Sequence, residues 1–242
     1  MKCATLISPH DLEKLRSIDT CTISNAIERL DVRLRNEGFA SDVVRCQFPQ
    51  FGPMVGYAVT GKIRSSMPPI SSCCYHYNAD WWEYVDSMPK PCIMVVEDTD
   101  DYPGFGALVG EVHAAIGLAL DCVGYLSNGA VRDIPQVERQ RFHLFAGSVS
   151  VSHAYAHIAE FGCPVEIGGL KINPGDLIHG DRHGVLTIPL SIAGEIPEMA
   201  CKILEEEREL IEFCRSRGFT LESLSKKLKR TGDGLISGRR ER

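Results

Sequence analysis

Residues 92–133 restrict the fold of this chain more than any other segment. Cys92 to Glu97 (CIMVVE) is a short, almost wholly apolar run, the pattern of a strand buried on both faces of a parallel sheet. A glycine-rich loop, DYPGFG, leads into ALVGEVHAAIGLAL, where Leu108, Val112, Ala115, Ile116 and Ala119 fall at helical spacing. CVGYLS then reads as a second strand ending in a turn at Asn128-Gly129. A strand–helix–strand unit of this kind predicts two parallel strands joined by a right-handed crossover, hence an α/β fold.

The flanking segments fit around that unit. Ser8 or His10 introduces DLEKLRSI, with Leu12, Leu15 and Ile18 on one helical face, and Thr22 or Ser24 is expected to cap NAIERL. Met54 to Ile63 reads as a strand bounded by Pro53. Between Arg64 and Pro91, prolines and aromatic residues suggest loops around one short helix near Trp81. FHLFAG, PVEIGG, LKI, DLIHG and GVLTIP are short strands separated by turn residues, expected to wrap into a barrel or a second sheet layer. Ser191 to Arg215 is a long helix. No internal repeat or linker divides the chain, so one domain over 1–225 is expected, followed by a basic, flexible tail at 226–242.

Composition narrows the partners. A net charge of −6 argues against a dedicated nucleic-acid binder. No apolar run approaches the length of a membrane span, and the N-terminus carries Asp11 and Glu13 in place of a secretory pattern. Ten cysteines without a Cys-x-x-Cys then read as reduced thiols of a cytoplasmic protein.

In a parallel unit both strands end at one sheet edge, where ligands of open α/β sheets bind. That edge gathers Gly104, Gly106, Gly110 and Glu111 from the first loop and Gly129, Arg132 and Asp133 from the second. Glycines admit close backbone approach, and helix N-terminal amides favour a carboxylate or phosphate. Arg132 offers a two-point grip on a carboxylate, while Asp133 and Glu111 are hard oxygen donors suited to magnesium or manganese. An Arg-Asp pair at a turn is equally compatible with a surface ion pair or a helix cap. His153 and His157 lie four apart, a spacing that suits zinc on a helix, but packing is the better reading without a further ligand. Trp81, Trp82, Tyr75, Tyr77 and Tyr84 read more readily as core or interface than as ligand stackers.

At these residues the sequence resembles the RraA-like family, which contains regulators of ribonuclease E activity, 4-hydroxy-4-methyl-2-oxoglutarate aldolases and oxaloacetate decarboxylases. The family signature, an acidic residue, twenty intervening residues and Arg-Asp, is matched by Glu111 and Arg132-Asp133. TISNAIERL, VGYAVTGK, VGYLSNGAVRDI and VEIGGLKINPGDLIHGDRHGVLTIP look like its recurring blocks. Three positions depart from it: Glu111 where Asp is common, Asn25 in place of Asp, and His183 where an acidic residue is frequent.

The resemblance implies a swivelling β/β/α single domain with a C-terminal helix, assembled as a homotrimer or homohexamer with sites between subunits. It implies a lyase of the class II pyruvate aldolase type, cleaving 4-hydroxy-2-oxo acids to pyruvate, with oxaloacetate decarboxylation as a further activity. Asp133 would bind Mg2+ or Mn2+, Glu111 would hold water around it, and Arg132 would grip the oxo-carboxylate end of a small 2-oxo-acid substrate. The amides of Val112 and His113, beyond Gly110, would complete the carboxylate pocket, and Glu206 or, preferentially, Glu207 would arrive from a neighbouring subunit. The competing expectation is a non-catalytic protein that inhibits a ribonuclease E-type degradation complex; that role needs no Glu111/Arg132/Asp133 set.

Overall fold

The computed structural model describes residues 6–69 and 79–235, with side chains to residue 228. The chain begins with helices α1 (Pro9–Arg16) and α2 (Thr20–Arg29). Ser8 caps α1 as expected. The cap of α2 is Asp19, whose carboxylate accepts the Thr22 amide and hydroxyl, so Thr22 and Ser24 lie inside the helix instead of starting it.

Strands β1 (Arg45–Cys46) and β2 (Met54–Arg64) precede helix α3 (Ala79–Ser87), the short helix expected near Trp81. Residues 70–78, including Tyr75 and Tyr77, lie outside the described residues. Strand β3 (Cys92–Asp98) follows, then β4 (Ala107–Val109), helix α4 (Glu111–Ala119) and β5 (Cys122–Val131). Two expectations for this unit need correcting. Ala107–Val109 is a strand paired with β5, so the helix starts at Glu111 and excludes Leu108. Asn128-Gly129 is no terminal turn, because β5 continues through it to Val131 with a register shift between Ser127 and Ala130. The Asn128 side chain supplies the reason: it accepts the Asp98 amide (2.7 Å) and donates to the Asp98 carbonyl (2.9 Å), bonding β5 to β3 as a backbone would.

Helix α5 (Ile134–Gln140) and strands β6 (His143–Val149) and β7 (His157–Phe161) come next. The hairpin β8 (Val165–Ile167) and β9 (Leu170–Ile172) precedes β10 (Leu177–Asp181) and β11 (Gly184–Ile188). Helix α6 (Ile196–Arg215) starts five residues later than the sequence suggests, and α7 (Leu221–Leu235) runs across position 226.

The main sheet has the order β1-β6-β5-β3-β2-β10-β11, with β4 beside β5 and β7 beside β2. The strands β2, β3, β5 and β6 are mutually parallel, as the crossover pattern requires. Residues 38–46 join its two edges: Ala40 donates to the Val185 carbonyl of β11, and Arg45 and Cys46 pair with β6. The sheet therefore nearly closes into a barrel.

Alternation along the strands sorts the core. Ile93 and Val95 of β3 point into the barrel with Met54, Leu126, Phe145 and the β8–β9 hairpin, while Cys92, Met94 and Val96 face outward under α3, α4 and α5. Val55, Tyr57, Leu177 and Ile188 bury against α1, α2 and α6. No described helix is long and apolar enough to cross a membrane.

Candidate functional site

The C-terminal ends of β4 and β5 hold the residues singled out by their spacing. β4 and β5 pair through Val109 and Val131, and the Arg132 amide donates to the Val109 carbonyl (3.0 Å). This short pairing sets Gly110, the residue before α4, directly against the Arg132-Asp133 step.

Asp133 has φ 54°, a left-handed conformation that an L-residue adopts at a cost and Asp more readily than most. It stands at the start of α5, and its carbonyl accepts the Gln136 and Val137 amides. Its carboxylate does not cap that helix. It turns to α4, where Oδ2 accepts the Glu111 amide (3.1 Å), and Oδ1 accepts Arg132 Nε (3.1 Å). Burial pushes the Asp133 carboxyl up, but the Glu111 amide and the adjacent guanidinium outweigh it, so its pKa lies below the ordinary carboxylate value. His153 adds to that pull, and its Nδ1 lies 2.6 Å from the Ala107 carbonyl on β4.

Nε of Arg132 is committed to Asp133, and no hydrogen bond to another described residue engages its two terminal nitrogens. Its side chain is 30% exposed. The internal ladder of α4 begins with the Ala114 amide donating to the Gly110 carbonyl (3.0 Å), so the first-turn amides have no acceptor inside the helix. Gly110 leaves the room this arrangement uses: a Cβ there would collide with Asp133 Oδ2 and lie 2.9 Å from Arg132 Cγ. The Glu111 side chain is exposed beside this group, and Val112 is exposed too. His113 is buried, its ring against Trp82 at 5.7 Å. Trp81 packs in the core with Tyr84 and Phe161, as its packing reading expects.

Glu206 and Glu207 lie elsewhere. Helix α6 packs on α2 and α1. Glu206 accepts two bonds from Arg29 (3.0 and 2.8 Å), and Glu207 is exposed. Among the described residues no hydrogen bond or ion pair joins Glu207 to Glu111, Arg132 or Asp133. The His153/His157 pair is not helical, since His157 opens β7. His183 donates its amide to Asp181 Oδ1 in the β10–β11 turn, and its Nδ1 lies 3.1 Å from the same oxygen.

Among the described residues no three His, Cys, Asp or Glu side chains converge as a closed metal cage. The donors Asp133 and Glu111 nevertheless suit magnesium, which is commonly held by one or two carboxylates with water and substrate completing the shell.

Sequence reasoning missed Asp98. At the end of β3, buried to 2% exposure, it accepts the Gly104 amide through Oδ2 (2.8 Å) and the Asp100 amide through Oδ1 (3.1 Å). Burial pushes its carboxyl pKa up against those two amides. Asp98 thus latches the loop that delivers β4 and Gly110. Its place at the end of an apolar run was the available signal.

A family model described as RraA-like (Aldolase/RraA) matches residues 20–187. "Protein DlpA" of Legionella pneumophila is 32% identical over 142 residues, 57% of this chain and 22% of that protein. A Halalkalibacterium halodurans protein named "Putative 4-hydroxy-4-methyl-2-oxoglutarate aldolase" is 33% identical over 84 residues, 34% of this chain and 40% of that protein. The chain thus spans less than half the length of either relative. The crystal structure of Streptomyces coelicolor RraAS2, described as an unusual member of the RNase ES inhibitor RraA protein family, superposes with a TM-score of 0.67 at 20% identity, covering 88% of this chain and 99% of that one.

Proposed function

Given that the chain belongs to the RraA-like family, we propose that it is a divalent-metal-dependent lyase that cleaves 4-hydroxy-2-oxo acids, such as 4-hydroxy-4-methyl-2-oxoglutarate, to pyruvate, and also decarboxylates oxaloacetate. The observation that carries this reading is the Asp133 carboxylate, held between the Glu111 amide and Arg132 Nε beside the open first turn of α4. One edge thereby gathers a carboxylate, a guanidinium and helix amides, which supports this reading.

Asp133, with Glu111, would hold Mg2+ or Mn2+. When bound, the metal supplies Lewis-acid stabilisation of charge developing on the 2-oxo oxygen. The terminal nitrogens of Arg132 bind the oxo-carboxylate end of the substrate, and the Val112 and His113 amides at the start of α4 seat the carboxylate. Cleavage breaks the C3–C4 bond, with its electron pair moving to C3 as the enolate of pyruvate. The 4-hydroxyl proton leaves as the second carbonyl forms. Glu111, exposed at the site, takes that proton through water and returns one to C3. Arg132 counters the enolate charge, a role whose loss commonly costs about 10²–10³ in rate.

Glu207 is proposed to complete the site from a second copy of the chain in a trimer or hexamer. Its exposure, and the engagement of Glu206 by Arg29, support choosing Glu207. The test is pyruvate release from a panel of 4-hydroxy-2-oxo acids and oxaloacetate. Activity is expected with magnesium or manganese, to vanish on chelation and to return with either metal. Full activity after exhaustive chelation would overturn the metal role, and no pyruvate from any member would overturn the substrate class.

A further inference from the structure

Strands β3 and β5 each begin with a cysteine, and their register sets Cys92 opposite Cys122. Their pairing shifts register between Cys92 and Ile93, so the two cysteines meet at the irregular start of the ladder. Both side chains point outward into the same cluster beneath α3 and α4, and their sulfurs are 3.0 Å apart. Among the described cysteines this is the one contact between sulfurs that falls within hydrogen-bonding distance; Cys21, Cys201 and Cys214 are exposed.

The pair is buried, with a lysine beside it. Lys90 Nζ lies 3.5 Å from Cys92 Sγ while donating to the Val85 carbonyl (2.8 Å). The Cys122 thiol's hydrogen bond holds the Cys92 thiol below its ordinary value, burial opposes this and the Lys90 ammonium reinforces it; Cys122 is pushed up correspondingly. The pair sits one residue inside the surface, next to exposed Asp121 and half-buried Lys90 and Pro91. It occupies the sheet edge opposite Asp133, at the other end of β5.

We propose that Cys92 and Cys122 form a redox-active dithiol that closes reversibly to an intrachain disulfide on meeting a peroxide. The Cys92 thiolate attacks one peroxide oxygen, the O–O bond breaks, and the departing hydroxide takes a proton to become water. Cys92 is then a sulfenic acid. Cys122 attacks its sulfur, the S–O bond breaks, and the Cys122 proton leaves with the hydroxide as a second water. Two thiols and one hydrogen peroxide give one disulfide and two waters, the sulfurs losing the two electrons that the peroxide gains. Closure to the usual S–S length of about 2.05 Å needs an approach of roughly 1 Å across the existing register.

The experiment treats the full chain with hydrogen peroxide, quenches, unfolds it and counts thiols. The count is expected to fall from 10 by at least two, with mass spectrometry of the digest showing a Cys92–Cys122 linked peptide that dithiothreitol removes. Cys122→Ser should trap Cys92 as a sulfenic acid captured by dimedone, and Lys90→Gln should slow linkage several-fold. If Cys122→Ser does not fold, the peptide map of the unmodified chain decides alone. Thiol loss without the Cys92–Cys122 peptide, or ten thiols surviving oxidant in excess, would overturn the proposal.

Discussion

Replacing Gly110 by Ala isolates the contact on which the candidate site is built. Gly110 has φ −144° and ψ −154°, extended backbone that any residue adopts, so alanine brings no backbone strain. The perturbation is one methyl group, and it would collide with Asp133 Oδ2, with Arg132 Cγ at 2.9 Å and Asp133 Cγ at 3.2 Å. The carboxylate cannot swing aside cheaply, because Oδ2 holds the Glu111 amide and Oδ1 holds Arg132 Nε. A hydrogen bond to a charged group contributes about 1.5–3 kcal/mol. Partial exposure lets water replace some of it, leaving a net cost of roughly 1–2 kcal/mol. At about 2–4 °C per kcal/mol for a chain of this size, melting should drop by ~2–8 °C. Misplacing the carboxylate by about 1 Å should lower kcat/KM for pyruvate release by on the order of 10²-fold. Gly194→Ala is the control, since a Cβ there meets nothing within 4 Å. Melting curves and coupled pyruvate assays on both variants provide the test. A Gly110→Ala protein matching Gly194→Ala in melting temperature and rate would refute the reasoning, because the carboxylate would then not depend on that gap.

Arg132→Lys should lower kcat/KM by roughly 10²-fold although the charge is kept, since an ammonium cannot hold Asp133 through one nitrogen and a carboxylate through two others; steady-state kinetics decide this. Glu206→Ala should cost only about 0–1 kcal/mol by removing an exposed ion pair with Arg29. Glu207→Ala should leave melting unchanged and abolish activity, and co-refolding it with Asp133→Ala should restore part of the rate; failure of that rescue counts against a shared site. His143 concerns stability. Burial, with Arg16 and Arg141 nearby, lowers its pKa to about 4, and its Nδ1 is buried without a partner among the described residues. The unfolded chain binds that proton near pH 6.5, so stability is full above pH 6.5 and falls as pH drops towards 4, by at most about 3 kcal/mol. Urea unfolding at pH 7 and 4.5 should show this loss, and His143→Gln should flatten it.

The sequence by itself determined the parallel unit, because the buried strands of 92–133 are a local pattern; the face of α4 was not legible, since Val112, Ala115 and Ala119 at the expected apolar spacing are exposed and His113, Ala114 and Gly117 are buried instead. It also determined the group Glu111, Arg132 and Asp133: two of these residues are adjacent, and the third lies at the matching end of the same unit. Short elements were not legible. Ala107–Val109 is an apolar triplet compatible with either period, and its pairing with Val131 made it a strand. Asn128-Gly129 carries a turn signature, yet the Asn128 amide bonds to Asp98 and keeps the strand running. Only the tertiary structure decided that residues 38–46 join the sheet edges, that Asp98 latches the loop before β4, and that the Asp133 carboxylate serves a helix beginning 22 residues upstream. Periodicity reports which face of one element is apolar. Which donor meets which acceptor between elements depends on packing among segments distant in the chain, and that information exists only once the sheet has closed.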